Sequence, residues 1–183
     1  MALKSTIYKA ELQLADMNRS YYTSHSLTIA RHPSENDRRM MLRLLAFCID
    51  ASDELGFCKG VSTQDEPDLW QRRLDGEIQH WIELGTPDER RIRKACSQAR
   101  RVTLYAYNQR SVGPWWQQLQ QPLQRFDNLA VVSVDDQAMA QLDALAQRNM
   151  QLQCTIQDED IWLSQGEQSA HIHLEHLKRV DSD

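Results

Sequence analysis

The sequence predicts a single α+β domain over residues 1–183, with a mixed central sheet flanked by helices, an N-terminal hairpin and a C-terminal β-meander. Three observations predict this class. Segments near both ends alternate apolar and polar residues, which is typical of strands that bury one face. Segments between them repeat apolar residues at helical spacing. The length of 183 residues is close to that of one domain, and no linker or internal repeat divides the chain.

Strands are predicted at both ends and between the helices. The N-terminal hairpin pairs residues 7–12 with residues 24–30 across a turn near residues 16–18. The pair Asp75-Gly76 is typical of a hairpin turn, and the uninterrupted apolar run 129–134 is typical of a strand buried on both faces. Apolar patterns predict further strands, in chain order, at residues 57–61, 78–84, 102–107, 152–157, 161–164 and 170–175. The last three of these form the meander.

The first helix is predicted from its N-terminal chemistry. Ser34 is a favourable N-cap, Asp37 completes a capping-box pattern, and Glu35 becomes the first helical residue. Apolar residues then recur at helical spacing from position 41 to 49. We expect the helix to continue to about Leu55 and to end at Gly56.

Further helices follow the same logic. Thr86 is the expected cap of the second helix, with Pro87 at its first helical position and a glutamate to complete a capping box. Asp135 or Asp136 caps another helix. A short helix is expected in the Gln-rich segment that begins near residue 115.

Composition excludes several classes of protein. Hydrophobic residues make up 41% and charged residues 26%, which is typical of a globular chain, and no apolar run is long enough to cross a membrane. The first residues lack the apolar core of a signal peptide, so we expect a cytoplasmic protein with no membrane partner. No oligomer interface is evident, which leaves a monomer as the expectation. The spacing of the four cysteines predicts free thiols: Cys48, Cys58, Cys96 and Cys154.

Paired carboxylates are the strongest chemical signal. Asp68 precedes Glu83 by fifteen residues, and the two lie on strands that we expect to be adjacent. Glu83 shares a strand face with Gln79 and Trp81, whereas Ile82 faces the opposite way. Hard oxygen ligands of this kind suit Mg²⁺. The pattern therefore indicates a metal site, although a purely structural carboxylate cluster is an open alternative.

Glu35 is a third candidate, because its predicted position at the start of a helix lies at the flank of the apolar stripe, where it could face the sheet. Acidic residues at a helix N-terminus are also favoured by the helix dipole alone. The pattern therefore leaves both a metal-binding and a structural role open for Glu35.

A basic strip lies within residues 90–101, although the net charge of the chain is −5. The acidic balance argues against a protein that coats nucleic acid by bulk electrostatics, so any contact with phosphate groups must be local. A solvated helix face is the alternative. The strip consists of Arg90, Arg91, Arg93, Lys94, Arg100 and Arg101.

Long blocks of the chain are similar to the YaeQ family of small bacterial proteins. The most specific blocks are LTIARHPSENDRRMMLRLLAF, DEPDLW and WIELGTPDERRIRKAC, and the resemblance extends over essentially all 183 residues. It implies a fold similar to that of PD-(D/E)XK nucleases, with a site that varies the motif. It implies no established activity.

The resemblance also assigns positions to the carboxylates. Glu35 matches the helix-borne acid in the HPSE block, and Glu83 matches the acid of the (D/E)XK element. Asp68 is the candidate for the first aspartate of the motif, with Asp75 as the alternative. Glu35, Asp68 and Glu83 would together bind Mg²⁺ or Mn²⁺ weakly.

The chain departs from the motif at Gly85, which stands where the motif has a lysine. Lys94 or Arg91 of the following helix could supply the missing cation. Two functions follow as expectations from the resemblance. The first is a Mg²⁺-dependent, nuclease-like phosphodiesterase acting on nucleic acid, and the second is a non-catalytic module that binds nucleic acid or protein.

Overall fold

The computed structural model of the chain describes residues 3–59 and 64–181. These residues form two mixed sheets and four helices. The elements are, in chain order, β1 (Thr6–Asp16), β2 (Tyr21–Arg31), α1 (Asp37–Asp50), β3 (Leu55–Phe57), β4 (Leu69–Arg72), β5 (Ile78–Leu84), α2 (Glu89–Gln98), β6 (Ala99–Tyr107), α3 (Gln109–Leu123), β7 (Leu129–Val134), α4 (Asp136–Ala144), β8 (Asn149–Gln157), β9 (Asp160–Gln165), β10 (Gln168–His173) and β11 (Glu175–Lys178).

The first sheet has the strand order β10-β9-β8-β1-β2. Its N-terminal hairpin runs in unbroken antiparallel register from Thr6 opposite Arg31 to Asp16 opposite Tyr21. Strands β8, β9 and β10 form the expected meander. The hairpin and the meander join into one sheet because β1 pairs in parallel with β8.

The second sheet has the strand order β11-β7-β6-β5-β4-β3. Strands β5, β6 and β7 are parallel neighbours. Strand β11 pairs antiparallel with β7, β4 pairs antiparallel with β5, and β3 pairs antiparallel with β4. The expectation of one central sheet is corrected to two, because the sequence pattern of each strand does not encode which distant strand it will pair with.

Helix α1 is buried between the two sheets. It packs against β2 of the first sheet and against β3 and β5 of the second, and α4 packs beside it. The main core joins Leu12 of the first sheet, Leu44 of α1 and Ile82 of the second sheet. A smaller core, which includes Trp81 and Ile92, lies on the other face of the second sheet under α2 and α3. The opposite faces predicted for Ile82 and Trp81 are thus confirmed.

The predicted starts of α1 and α2 are each wrong by about two residues, whereas α4 is capped by Asp135, one of the two predicted residues. The N-cap of α1 is Asn36, whose side chain accepts a hydrogen bond from the backbone N–H of Arg39, while the Ser34 hydroxyl pairs with His32 instead. The N-cap of α2 is Asp88, not Thr86. In each case an Asn or Asp just downstream of the predicted cap makes the capping bond instead.

Other boundaries also differ from the expectations. Helix α1 ends at Asp50, and both Leu55 and Gly56 belong to β3, which ends at Phe57. Part of the strand expected at 57–61 lies outside the described residues. Helix α3 has 15 residues and begins well before the Gln-rich segment. The last expected strand is divided into β10 and β11, which belong to different sheets.

Two expectations about the whole chain can be compared with the structure. Within residues 3–59 and 64–181, no helix combines the length and the apolar character needed to cross a membrane. Cys48, Cys58, Cys96 and Cys154 are all free thiols, as predicted.

Candidate functional site

Asp68 and Glu83 lie beside each other on neighbouring strands. The antiparallel register pairs Leu69 of β4 with Ile82 of β5, so the next residues outward are Asp68 and Glu83. Both are almost fully buried, with 3% and 5% of their surface exposed. The Asp68 carboxylate accepts a hydrogen bond from the backbone N–H of Leu84, with Oδ2 2.9 Å from the nitrogen. The hairpin between β4 and β5 therefore brings together the first two candidates.

Glu35 lies just before α1, and its carboxylate is held by two arginines of that helix. Its Oε1 is 2.6 Å from a terminal nitrogen of Arg43, and its Oε2 is 2.8 Å from a terminal nitrogen of Arg39. The Nε of Arg43 also donates to Oε2, at 3.0 Å. Only 1% of the Glu35 side chain is exposed. Both carboxylate oxygens therefore have charged partners.

Arg39 connects Glu35 to Asp68. One terminal nitrogen of its guanidinium donates to Glu35, and the other lies 2.8 Å from Oδ1 of Asp68. Burial acts to lower the pKa of Arg39, but the negative charges of Asp68 and Glu35 outweigh burial and raise its pKa above the ordinary value. Arg39 therefore stays charged and occupies the space between two of the three candidate carboxylates.

Glu83 has one paired and one unpaired oxygen. Its Oε1 accepts a hydrogen bond from Nε of Arg91 at 2.7 Å, whereas its Oε2 is buried and has no hydrogen-bond partner among the described residues. Burial raises the pKa of Glu83, and the charge of Asp68 raises it further, while Arg91 offsets part of this effect. Glu83 is thus the carboxylate whose charge is least compensated by its surroundings.

The structure places Arg91, rather than Lys94, against Glu83. The other guanidinium nitrogens of Arg91 donate to the backbone carbonyls of Gln64 and Glu66. Lys94 is half-exposed, and its Nζ lies 2.9 Å from Oδ1 of Asp65. Arg91 is therefore the cation that reaches the carboxylates from α2.

Gly85 has a positive φ of 102°, a backbone conformation in which a lysine would be strained. Its N–H donates to the carbonyl of Tyr105. Asp75, the alternative first aspartate, lies in the exposed turn between β4 and β5, where it accepts a hydrogen bond from the N–H of Glu77. These contacts put Asp75 in the turn and Asp68 in the site.

A cavity of about 390 Å³ opens over the carboxylates. It adjoins a larger cavity of about 820 Å³ on the exposed side of α2, and the two share Gln64 and Arg91. The smaller cavity is lined by Arg39, Gln64, Glu66, Pro67, Asp68, Glu83, Leu84, Thr86, Pro87 and Arg91. We call the larger cavity the basic groove; it is lined by Gln64, Asp88, Arg90, Arg91, Arg93, Lys94 and Ser97.

The basic strip predicted from the sequence is divided in the structure. Its first four residues line the basic groove, whereas Arg100 and Arg101 lie on β6 and do not. Arg100 forms an ion pair with Glu77 at the other end of β5. Only the part of the strip on α2 therefore adjoins the carboxylates.

The carboxylates meet the requirements of a metal site only in part. Among the described residues, no three Asp, Glu, His or Cys side chains converge closely enough to hold a metal ion. Both oxygens of Glu35 are bound by arginines. Each oxygen of Asp68 has one partner, Arg39 or the N–H of Leu84, so Asp68 and Glu83 are the carboxylates with capacity for a further ligand. The unpaired Oε2 of Glu83 is a ligand atom of the kind that Mg²⁺ prefers. A divalent ion would thus have two protein ligands, with water or phosphate oxygens for the remainder.

Known proteins resemble this chain over almost its full length. A family model described as YaeQ protein matches residues 1–174. The uncharacterized protein YaeQ of Salmonella typhi is 52% identical over 174 residues, covering 95% of this chain and 96% of that protein. The Escherichia coli protein of the same description is 50% identical, with the same coverage.

Two crystal structures of YaeQ proteins are similar in fold. The protein from Xanthomonas axonopodis pv. citri superposes with a TM-score of 0.93 at 42% identity, covering 95% of this chain and 98% of that chain. The protein from Pseudomonas syringae gives a TM-score of 0.91 at 32% identity, covering 96% and 97%.

Proposed function

The chain belongs to the YaeQ family, and on that premise we propose that it is a nuclease-like phosphodiesterase that acts on nucleic acid with Mg²⁺ or Mn²⁺ through a variant PD-(D/E)XK site. One observation carries the proposal. The Oε2 atom of Glu83 is buried, has no hydrogen-bond partner within residues 3–59 and 64–181, and belongs to a carboxylate that lines a cavity together with Asp68. An unpaired buried carboxylate oxygen is costly, and a cation in the cavity would relieve that cost.

Asp68 and Glu83 would hold the divalent ion. Such an ion supplies a Lewis acid that polarises a phosphoryl oxygen and lowers the pKa of a bound water. Asp68 is oriented for this role by the N–H of Leu84, which fixes one of its oxygens. Two protein carboxylates are typical of a Mg²⁺ site that relies on substrate phosphates to complete its shell.

Arg91 would supply the positive charge that a lysine supplies in the motif. Its guanidinium borders both cavities and is fixed by Glu83 and by the carbonyls of Gln64 and Glu66. A preorganised positive charge at this point stabilises the negative charge that develops on a phosphoryl group during hydrolysis. The glycine at position 85 does not preclude this, because Arg91 reaches Glu83 from the helix.

The basic groove would contact the nucleic-acid backbone. Arg90 and Arg93 are exposed on α2, and with Lys94 they line the groove that joins the carboxylate cavity at Arg91. Contacts of this kind recognise phosphates and are independent of base sequence. A strand held along α2 would thereby present a phosphodiester group at the carboxylates.

A second function is favoured by a different observation. The three carboxylates are balanced by the guanidiniums of Arg39, Arg43 and Arg91, so their charges are largely compensated without an added ion. This balance favours a non-catalytic module that binds nucleic acid or protein. Such a module would retain the nuclease-like architecture without hydrolysing a phosphodiester. Metal binding and cleavage distinguish the two functions.

The experiment combines a Mn²⁺ titration, followed by paramagnetic broadening, with cleavage assays on single- and double-stranded oligonucleotides. The variants are Glu83→Gln and Asp68→Asn, and Glu77→Gln, just before the other end of β5, is the matched control. The first function predicts weak metal binding and metal-dependent cleavage that both substitutions at the site abolish and the control keeps. Binding of oligonucleotides without cleavage at any metal concentration would instead establish the second function. Absence of metal binding, oligonucleotide binding and cleavage would contradict the first function and the nucleic-acid-binding form of the second.

A further inference from the structure

Strand β2 is an open edge of the first sheet. It is the last strand in the order β10-β9-β8-β1-β2, and within residues 3–59 and 64–181 no strand pairs with its outer side. All eleven of its residues are paired with β1 in a register without a bulge. The outer side therefore presents a long, regular row of backbone donors and acceptors, of which the carbonyl of Ala30 already accepts a hydrogen bond from Arg43.

This edge lacks the usual protection against pairing. Exposed edge strands are commonly short, charged, bulged or interrupted by proline. Residues 20–30 (SYYTSHSLTIA) contain no charged residue and no proline. The arginines at either end, Arg19 and Arg31, form ion pairs with Asp16 and Asp37. The opposite edge strand, β10, has only six residues and packs against α4.

The core is also incompletely covered on this side. Tyr21, Thr23, His25 and Leu27 face the core but are only half-buried, whereas the core-facing side chains of the neighbouring strand β1 are buried almost completely. Aromatic contacts connect these half-buried side chains of β2 to residues beyond the first sheet. His25 packs on Phe47 of α1, and Phe47 stacks on Phe57.

Phe57 belongs to β3, which is itself the edge strand of the second sheet. Phe47 therefore contacts an aromatic side chain from an edge strand of each sheet. The two sheets thus end near the same aromatic row, in which His25 and Phe57 are half-buried and Phe47 is buried. An added strand beside β2 would cover part of it.

We propose that β2 pairs antiparallel with β2 of a second copy of this chain, about a twofold axis at Ser26. This register, centred on the middle residue of β2, overlaps all eleven residues. On the exposed face it sets Ser24 opposite Thr28 of the second copy, and Ser/Thr pairs of this kind are favourable across strands. On the core face it sets His25 opposite Leu27.

The lack of charge on β2 favours a second copy of this chain as the partner that pairs with this edge. An uncharged strand meets its own copy without like-charge repulsion, and the Ser26-centred register places Arg31 opposite Tyr21 instead of opposite another arginine. Arginine over a tyrosine ring is already a contact of this fold, at Arg19 over Tyr21 and Arg31 over Tyr8. A charged strand of another protein would gain no ion pair with β2, because β2 presents no unpaired charge.

The contact area indicates a weak, reversible dimer. Eleven residues make an edge about 37 Å long, and with side chains on both faces it would bury roughly 400 Å² of each copy. Stable interfaces bury about 800 Å² per partner. Tyr22, which is 63% exposed, and Phe57 could add to this area. We therefore expect a dimer that forms at micromolar concentrations or above.

The test is sedimentation velocity of the full chain over a range from low micromolar to near-millimolar concentration. Two double variants change only exposed side chains of β2. Ser24→Lys with Thr28→Glu places opposite charges across the dimer axis, whereas Ser24→Glu with Thr28→Glu places like charges there. Within one chain the neighbours on β1 are Gln13 and Lys9, so neither pair of substitutions sets like charges directly opposite each other.

The wild type should dimerise reversibly, and the Lys/Glu variant should dimerise more tightly than the Glu/Glu variant, with dissociation constants that differ on the order of tenfold. Ser169→Lys on β10, at the other edge of the same sheet, should leave the dimer unchanged. A wild type that sediments as a monomer throughout would overturn the proposal and leave the edge to a strand of another protein. Equal dissociation constants for the two double variants would overturn it as well.

Discussion

The guanidinium of Arg91 lies against the carboxylate of Glu83, with Nε 2.7 Å from Oε1. A terminal nitrogen of the same guanidinium lies 2.5 Å from the same oxygen. Both contacts fall on one oxygen of Glu83, and the other, Oε2, is buried and has no partner in the part of the chain that the structure describes. The ion pair therefore connects α2 to β5 and leaves one carboxylate oxygen available to bind a metal ion.

This arrangement predicts a specific dependence of stability on pH. The pKa of Glu83 is raised in the folded protein, mainly by burial, so the folded state holds this proton more tightly than the unfolded state does. The contribution of Glu83 to stability is therefore largest at acid pH and decreases as pH rises from the ordinary glutamate pKa through the raised folded value. The loss amounts to roughly 1.4 kcal/mol for each unit by which the pKa is raised.

The variant Glu83→Gln lacks this titration. The difference in unfolding free energy, variant minus wild type, should therefore increase with pH across the same window. Urea denaturation of both proteins at a series of pH values measures it. A difference that is the same at every pH would show that the carboxyl of Glu83 is not perturbed by folding.

Arg39 should stabilise the fold and compete with a metal ion. In Arg39→Gln the buried Asp68 loses its cationic partner, which should destabilise the protein by roughly 3 kcal/mol, at the low end for broken buried pairs because Arg39 is slightly exposed. Mn²⁺ should restore part of this stability, because the variant frees an oxygen of Asp68 for the ion.

Arg38→Gln is the matched control. Arg38 is exposed and lies 3.9 Å from an exposed Asp143, so its replacement should change the unfolding free energy by no more than about 0.5 kcal/mol. Denaturation midpoints of both variants, measured with and without Mn²⁺, test this prediction. Equal midpoints for Arg39→Gln and Arg38→Gln would contradict a bridging role for Arg39.

Replacement of Ile82 by alanine should destabilise the protein far more than replacement of Gln79. Ile82 is fully buried in the main core, whereas Gln79 is half-buried and its amide donates a hydrogen bond to Glu77. Truncation of a buried isoleucine typically costs about 2–5 kcal/mol. Urea midpoints of Ile82→Ala and Gln79→Ala provide the comparison, and similar midpoints would refute the assignment of the two strand faces.

Any binding of nucleic acid should depend on the basic groove. In Arg90→Ala/Arg93→Ala, the log–log slope of affinity against salt should become shallower by about 0.9 for each phosphate of duplex DNA that the variant no longer neutralises. The matched control is Arg100→Ala/Arg101→Ala, which removes the same charge from β6, outside the groove. Equal effects of the two double variants would mean that net charge, not the groove, governs binding.

The neighbouring positions of Asp68 and Glu83 could be anticipated from sequence. The Asp-Gly turn and the alternation in β5 are local signals, and they place the two carboxylates on adjacent strands. The helix starts could not be fixed to the residue, because Ser34 and Asn36 are both acceptable caps within one turn of chain. The choice of Asn36 moved Glu35 out of the helix.

Arg39 and Arg43 were not predicted as partners of Glu35, because the motif is defined by its carboxylates. Their signal is present in the sequence, since they follow Glu35 by four and eight residues, a spacing at which helical side chains share one face. Arg43 also interrupts an otherwise apolar buried run from residue 40 to 48. A cation on the buried face of a helix requires a buried anion, and Glu35 is that anion.

The parallel pairing of β1 with β8 has a consequence for biosynthesis. Lys9 and its partner Asn149 are separated by about 140 residues, so at ordinary rates of translation roughly ten to thirty seconds pass before β1 can acquire its second neighbour. Over that interval the nascent hairpin exposes apolar side chains such as Leu12, and pairing across so long a segment is intrinsically slow. We therefore expect ribosome-bound chains arrested before β8 to engage holding chaperones and to be cut readily by protease within β1. Once β8 and β9 have been synthesised and have left the exit tunnel, β1 should become protected from protease.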